Sequence, residues 1–176
     1  RHFKMHLGNA VSKDLMHWKD LPFIIAPDKL GAIVSGSAVV DADNCSGFGK
    51  NAVVAMYTSA GRGIQQQSIA YSIDKGRTYT KYEGNPVIKG EGRQPNFRDP
   101  KMIRIGDKWV VAIAAGDVIA FYSSSDLKNW EWLSDFGKGK GSHAAVWECP
   151  ELMKFNYNGT EKWVLLVSIN PGGPNG

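Results

Sequence analysis

Only two cysteines, Cys45 and Cys149, occur in 176 residues. They show no C-x-x-C spacing and no zinc-ligand pattern, so neither a disulfide framework nor a structural metal is expected to hold the chain together. The two could pair, but nothing in the sequence requires it, and two free, buried thiols packing as small hydrophobes is the simpler expectation. No apolar run approaches the roughly 18 residues of a membrane-spanning helix, and no secretory leader opens the chain. Charge of one sign is also scarce. Twenty-one Lys and Arg stand against 17 Asp and Glu, a net charge of +4. The basic residues are scattered singly, without the clustered footprint that nucleic-acid binding needs. The first residue is Arg1 and the last stretch is rich in Gly, Pro and Asn, so the chain is expected to be a fragment of a longer protein.

What is present favours strands. Six Trp, six Tyr, seven Phe and 20 Gly suit a pleated, turn-rich structure. Short β-rich runs stand at Ala52–Tyr57, Ser68–Ser72, Lys101–Ile105, Trp109–Ala114, Val118–Tyr122 and Trp163–Ile169. Gly106-Asp107 and Asn158-Gly159 fit tight hairpin turns, because they tolerate positive φ. No window carries a capped amphipathic helix, so the fold class is all-β.

A repeat organises the runs. Ser12-x-Asp14 precedes Trp18, Ser72-x-Asp74 precedes Tyr79, and Ser124-x-Asp126 precedes Trp130. The aspartates are separated by 60 and then 52 positions, a period that suits a four-stranded propeller blade. Their expected role is structural: Ser and Asp side chains bond nearby backbone N–H groups, and each aromatic packs between blades. Trp109, Trp130 and Trp163 are likewise expected in inter-blade core rather than under a sugar. About three blades fit this length.

Two acids stand apart. Asp99 lies in Asn96-Phe97-Arg98-Asp99-Pro100-Lys101, and Glu148 follows 49 positions later in Val146-Trp147-Glu148-Cys149-Pro150. The spacing is close to one repeat, so neighbouring blades could bring both to a central pocket, although acids near prolines also cap ordinary turns. Arg98 is expected to hold Asp99 ionised, while Val146 and Trp147 are expected to desolvate Glu148 and raise its pKa. Carboxylates whose environments push their pKa values apart can divide the work of a charged group and a proton donor.

These two motifs resemble signatures of glycoside hydrolase family 32, the β-fructosidases that include levanases, inulinases and invertases. Further blocks carry the resemblance in order along nearly the whole chain: Ala10-Val11-Ser12-Lys13-Asp14, Ser35-Gly36-Ser37-Ala38, Asn44-Cys45-Ser46-Gly47-Phe48, Gln66-Gln67-Ser68-Ile69-Ala70-Tyr71-Ser72, Asn85-Pro86-Val87-Ile88 and Asn170-Pro171-Gly172-Gly173-Pro174. The resemblance is strongest to microbial exo-acting fructanases. It implies a five-bladed β-propeller followed by a β-sandwich, and secretion. Residues 1–176 would then be part of the catalytic propeller.

The resemblance also implies roles. Glu148 matches the general acid/base, Asp99 the transition-state stabiliser, and Arg98 and Ser35 match groups that bind fructose. The substrate would be a fructan or sucrose, cleaved with retention and without metal or cofactor. The family's nucleophile lies in a Trp-Met-Asn-Asp-Pro-Asn-Gly type motif that this sequence does not contain, so the isolated chain is expected to be inactive. Leu7-Gly8-Asn9 stands where the family usually has Trp-Gly-His, and Val34 where an aromatic is common; these departures bear on the sugar-binding rim. Two other readings stay open: an inverting five-bladed glycosidase, and a carbohydrate-binding propeller without catalysis. His2 and His6 have metal-like spacing but no third ligand. His143 reads as a turn residue, though one near enough to Glu148 to meet substrate. Asn44 and Asn158 stand in glycosylation patterns that matter only in a secreting eukaryote.

Overall fold

The computed structural model describes residues 5–90, 92 and 95–172. His2, Gly173 and Pro174 lie outside them. Among the described residues every regular element is a strand, and all pairing is antiparallel. β1 (Leu7–Ser12) pairs with β2 (Trp18–Ile25) as a two-stranded sheet. β3 (Ala32–Asp41), β4 (Ala52–Gly61), β5 (Ile64–Ser72) and β6 (Thr80–Lys81) form a four-stranded meander. A second meander follows in β7 (Phe97–Ile105), β8 (Lys108–Ala115), β9 (Val118–Ser124) and β10 (Glu131–Phe136). β11 (Val146–Tyr157) and β12 (Thr160–Asn170) make a final two-stranded sheet. Two complete blades and two half-blades thus form an open arc of a β-propeller.

The blades stack through three apolar layers, and strand alternation builds them. Val54 and Met56 of β4 face Met102, Val111 and Ile113 of the next blade, while Ala55 and Tyr57 face back toward Ile25 and Ile24. In the same way Val111 and Ile113 of β8 point one way, and Ala112 and Ala114 point toward Trp147, Leu165 and Val167. A strand buried on both faces reads as a continuous apolar run rather than an alternating one. That is why β4, β8 and β9 stand out in the sequence.

The Ser-x-Asp repeat forms the expected turns. Ser72 Oγ donates to Asp74 (2.7 Å), whose carboxylate accepts the N–H groups of Arg77 and Thr78. Asp14 and Asp126 collect the N–H groups that follow them in the same manner. Lys75, Leu15 and Leu127, one residue after each Asp, all have positive φ. The aromatic partners diverge. Trp130 and Tyr79 pack against inter-blade layers, but Trp18 is 58% exposed among the described residues. Trp109 is core, and Trp163 is 40% exposed on the last, two-stranded sheet, where the described residues supply only half a blade.

The cysteines do not pair. Cys45 is half-buried, accepting the Trp109 indole N–H (3.1 Å), and Cys149 is exposed rather than buried. Cys45 belongs to a loop wound round Asp41. That fully buried carboxylate accepts the N–H groups of Cys45 (3.0 Å) and Ser46 (2.9 Å), the Ser46 hydroxyl (2.5 Å) and the Cys45 thiol (3.2 Å). Asp41→Ala strands these donors, and stability in chemical denaturation is expected to fall by about 3 kcal/mol. Asn44 shapes the same loop, its Oδ1 accepting the Gly49 N–H at 2.7 Å.

Candidate active site

The innermost strands β3, β7 and β11 each break register at one place. The shifts fall between Val34 and Gly36, between Arg98 and Lys101, and between Glu148 and Glu151. In the first, Gly36 is indispensable: a Cβ there would lie 2.0 Å from the Met56 carbonyl oxygen. In the other two, Pro100 and Pro150 supply no N–H to the ladder, and the preceding residues, Asp99 (φ 61°) and Cys149 (φ 49°), adopt left-handed backbone. Bulges of this kind re-aim side chains next to functional sites.

The two register breaks align by their prolines, Pro100 with Pro150. Asp99 corresponds to Cys149, and Glu148 corresponds to Arg98. Acid does not face acid across the blades; acid faces guanidinium. Arg98 Nη2 donates to Glu148 Oε1 at 2.5 Å. Arg98 Nη1 is held by Asn96 Oδ1 (2.6 Å) and Gln65 Oε1 (3.3 Å), and Nε lies 3.9 Å from Asp99 Oδ2. Asp99 Oδ2 accepts the Cys149 N–H at 3.0 Å, tying β7 to β11. Arg98 and Glu148 retain 17% and 22% of their exposure, against 7% for Asp99.

The electrostatics of Glu148 reverse expectation. Its pKa lies below the ordinary carboxylate value, not above it. The Arg98 hydrogen bond is the chief cause; burial opposes it, and a further hydrogen bond from Asn170 adds to the lowering. Val146 and Trp147 do not dominate, because the carboxyl reaches past them to the guanidinium. Ser35 lies with Ser37, Asp99, Lys101 and Cys149 around a depression of about 200 Å³. Ser35 and Asp99 therefore share a cleft, while Arg98 and Glu148 form the charged pair beside it. Gln65, Asn96 and Asn170 complete the site. Asn96 and Asn170 stand inside sequence motifs and Gln65 directly before one, but nothing local marks them as partners of Arg98 or Glu148.

His143 is a structural clamp rather than part of this cluster. Its ring stacks on Trp147 (centroids 5.3 Å apart), Nδ1 meets Asp117 Oδ2 at 2.9 Å, and Nε2 meets the carbonyls of Gly137 (2.9 Å) and Lys140 (3.0 Å). Acceptors on both nitrogens favour imidazolium, and the Asp117 hydrogen bond, above all, raises the pKa over the ordinary 6.5. A raised folded pKa gives a contribution that is fully present below the unfolded value and is lost as pH rises through the folded one. Amide exchange of the 137–147 loop is therefore expected to be slowest at pH 5–6 and to speed up, beyond its intrinsic pH dependence, above neutrality. Equal protection across that range in exchange mass spectrometry would contradict the clamp.

The chain matches the model of the Glycosyl hydrolases family 32 N-terminal domain over residues 1–175. The chain belongs to glycosyl hydrolase family 32. It is 52% identical over 180 residues to a levanase of Bacillus subtilis (strain 168), covering 98% of this chain and 26% of that protein. An invertase of Schizosaccharomyces pombe is 43% identical, with 98% and 32% covered. The fold of this family 32 chain superposes on a fructofuranosidase from Schwanniomyces occidentalis complexed with fructose (TM-score 0.89, 38% identity, 97% of this chain and 35% of that one). An exo-inulinase from Aspergillus awamori gives a TM-score of 0.83 at 37% identity, covering 95% and 38%. The chain thus spans 26–38% of the length of these relatives. Where it departs from the family pattern, the structure gives the new residues work. Leu7 packs against the buried layer of Ile25, Ile33, Ala55, Tyr57 and Ala70, and Asn9 Nδ2 donates to the Gly76 carbonyl at 2.9 Å.

Proposed function

We propose that the protein carrying this chain hydrolyses β-fructofuranosidic bonds in fructans or sucrose. The observation that carries the reading is the single guanidinium of Arg98, which holds Glu148 and lies beside Asp99 at matched bulges of adjacent inner strands. In this reading Glu148 protonates the leaving oxygen and later activates water, while Asp99 and Arg98 bind fructose hydroxyls and stabilise positive charge at the anomeric carbon. Ser35 lines the same subsite.

The Arg98–Glu148 pair sets a condition on this chemistry. It favours the ionised carboxylate, which accepts protons, whereas the first step needs the acid. Sugar hydroxyls that take over the Arg98 donors remove the group that lowers the Glu148 pKa, so substrate binding itself prepares the proton donor. Cleavage with retention needs a second carboxylate about 5–5.5 Å from Glu148. We assign that role to an acid outside this chain, on a propeller of which residues 1–176 form part. Secretion fits an enzyme of polymeric fructans, and the related exo-inulinases of Aspergillus are described as extracellular.

The test is sugar release. The complete protein is expected to liberate fructose from sucrose, inulin or levan, and the isolated 176-residue chain is not. A complete protein that binds these sugars and releases nothing would instead be a carbohydrate-binding propeller.

A further inference from the structure

Among the described residues, two fully buried polar side chains in the blade before the site have side-chain partners within their own sheet only in each other. Thr58 on β4 and Gln67 on β5 are cross-strand neighbours, both with 0% exposure. The Thr58 hydroxyl donates to Gln67 Oε1 at 2.8 Å. Gln67 Nε2 donates onward to the carbonyl of Phe97 at 2.9 Å, and the N–H of Asp99 donates back to Thr58 Oγ1 at 3.2 Å. These three bonds and the Phe97–Asp99 backbone close a ring. Its donors and acceptors alternate correctly, so one orientation of the Gln67 amide satisfies all of them.

The ring spans one residue only. It fixes the carbonyl before Arg98 and the N–H after it, the two peptide units that aim the Arg98 side chain. β7 is the edge strand of its sheet, and the side chains of Gln67 and Thr58 reach these two groups from the neighbouring blade. Buried unpaired polar groups are costly, and an edge held by side chains from another blade moves with that blade. The Asp99 end is also where the backbone enters the left-handed region.

We propose that Thr58 and Gln67 are positioning residues for the fructose site, holding Arg98 and Asp99 in register with Glu148 without touching substrate. Their role is separable from general stability. Loosening the ring lets the Arg98 guanidinium drift from Glu148, which removes the interaction that keeps that carboxyl ionised. The consequence is specific in sign: Glu148 becomes harder to deprotonate.

This inference rests on the fructoside-cleaving reading of the same site, and its test separates the two. Thr58→Val keeps the shape and removes the hydroxyl; Thr58→Ser keeps the hydroxyl; Gln67→Met opens the ring from the other side. Each is made in the complete protein and assayed on sucrose at several pH values. The Glu148 carboxyl is titrated in parallel by carbon-13 NMR, its signal assigned by its loss in Glu148→Gln. In Thr58→Val and Gln67→Met, kcat is expected to fall about 10- to 100-fold, as small displacements of positioned groups do. KM should change less than kcat. The alkaline limb of kcat/KM and the Glu148 midpoint should both rise by about one pH unit, the size of a lost neighbouring charge. Thr58→Ser should restore both. A Glu148 midpoint unchanged in folded Thr58→Val or Gln67→Met, or one raised equally in Thr58→Ser, would overturn the positioning role. A wild-type protein that releases no fructose would sink the functional reading instead, while the NMR titration would still judge the ring.

Discussion

Glu148→Gln is expected to lower kcat for sucrose by about 10²–10⁴-fold, the usual worth of a positioned proton donor. The substitution is nearly isosteric, and the glutamine carbonyl can still accept from Arg98, as Oε1 of Glu148 does at 2.5 Å. Binding should therefore survive, with KM close to that of the wild type. The diagnostic feature is the pH profile. A general acid must be protonated to act, so if Glu148 has that role the activity of the complete protein should fall as pH rises through the Glu148 pKa of the free enzyme in kcat/KM and of the complex in kcat. Because Arg98 lowers that pKa in the free protein, the alkaline limb of kcat/KM should lie on the acidic side of the limb in kcat. Glu148→Gln should abolish both limbs. A variant with more than a tenth of wild-type kcat, or with an unchanged alkaline limb, would remove Glu148 from the proton-transfer role. Steady-state kinetics across pH would decide it.

Asp99→Asn carries the second largest expected effect. The amide oxygen can still accept the Cys149 N–H that Asp99 Oδ2 accepts at 3.0 Å, and Asn tolerates the left-handed backbone at φ 61°. The fold should be unchanged, and only the negative charge is lost. If Asp99 stabilises a transition state with positive charge at the anomeric carbon, kcat/KM should fall about 10²–10³-fold, as when one preorganised electrostatic group is removed. Asp99→Ala should do more damage, because it also strands the Cys149 N–H and puts a less tolerant residue at positive φ. A loss in thermal stability equal for Asn and Ala, with kcat/KM little changed in Asp99→Asn, would make the carboxylate a structural tie alone.

The sequence revealed most where a side chain answers to local rules. Strands buried on both faces, such as β4 and β8, show as apolar runs, and the Ser-x-Asp turns satisfy their N–H groups within five residues. β1, β2 and β3 do not show as clearly: exposed polar and small residues such as Gly8, Lys19, Asp20, Ser35 and Gly36 break up their apolar stretches. β11 hides because Cys149 and Pro150 interrupt it at the bulge. The candidate site residues Arg98, Asp99, Glu148 and Ser35 were proposed through a resemblance built on short motifs, and the structure brings them into one region. Their electrostatics were not legible. Sequence adjacency pointed to Arg98 acting on Asp99, but the bulge turns the guanidinium across to the next blade, where Glu148 takes it. Long-range bonds such as Gln67 to Phe97 leave no local trace at all.

The central claim is that Arg98, Asp99 and Glu148 form one fructose site. A crystal structure of the complete Glu148→Gln protein soaked with sucrose tests it most directly. The expected result is an unbroken sucrose whose fructosyl hydroxyls accept from Arg98 and donate to Asp99, with its glycosidic oxygen at residue 148. Sucrose bound elsewhere on the propeller, with the Arg98 cluster untouched by sugar, would contradict the account.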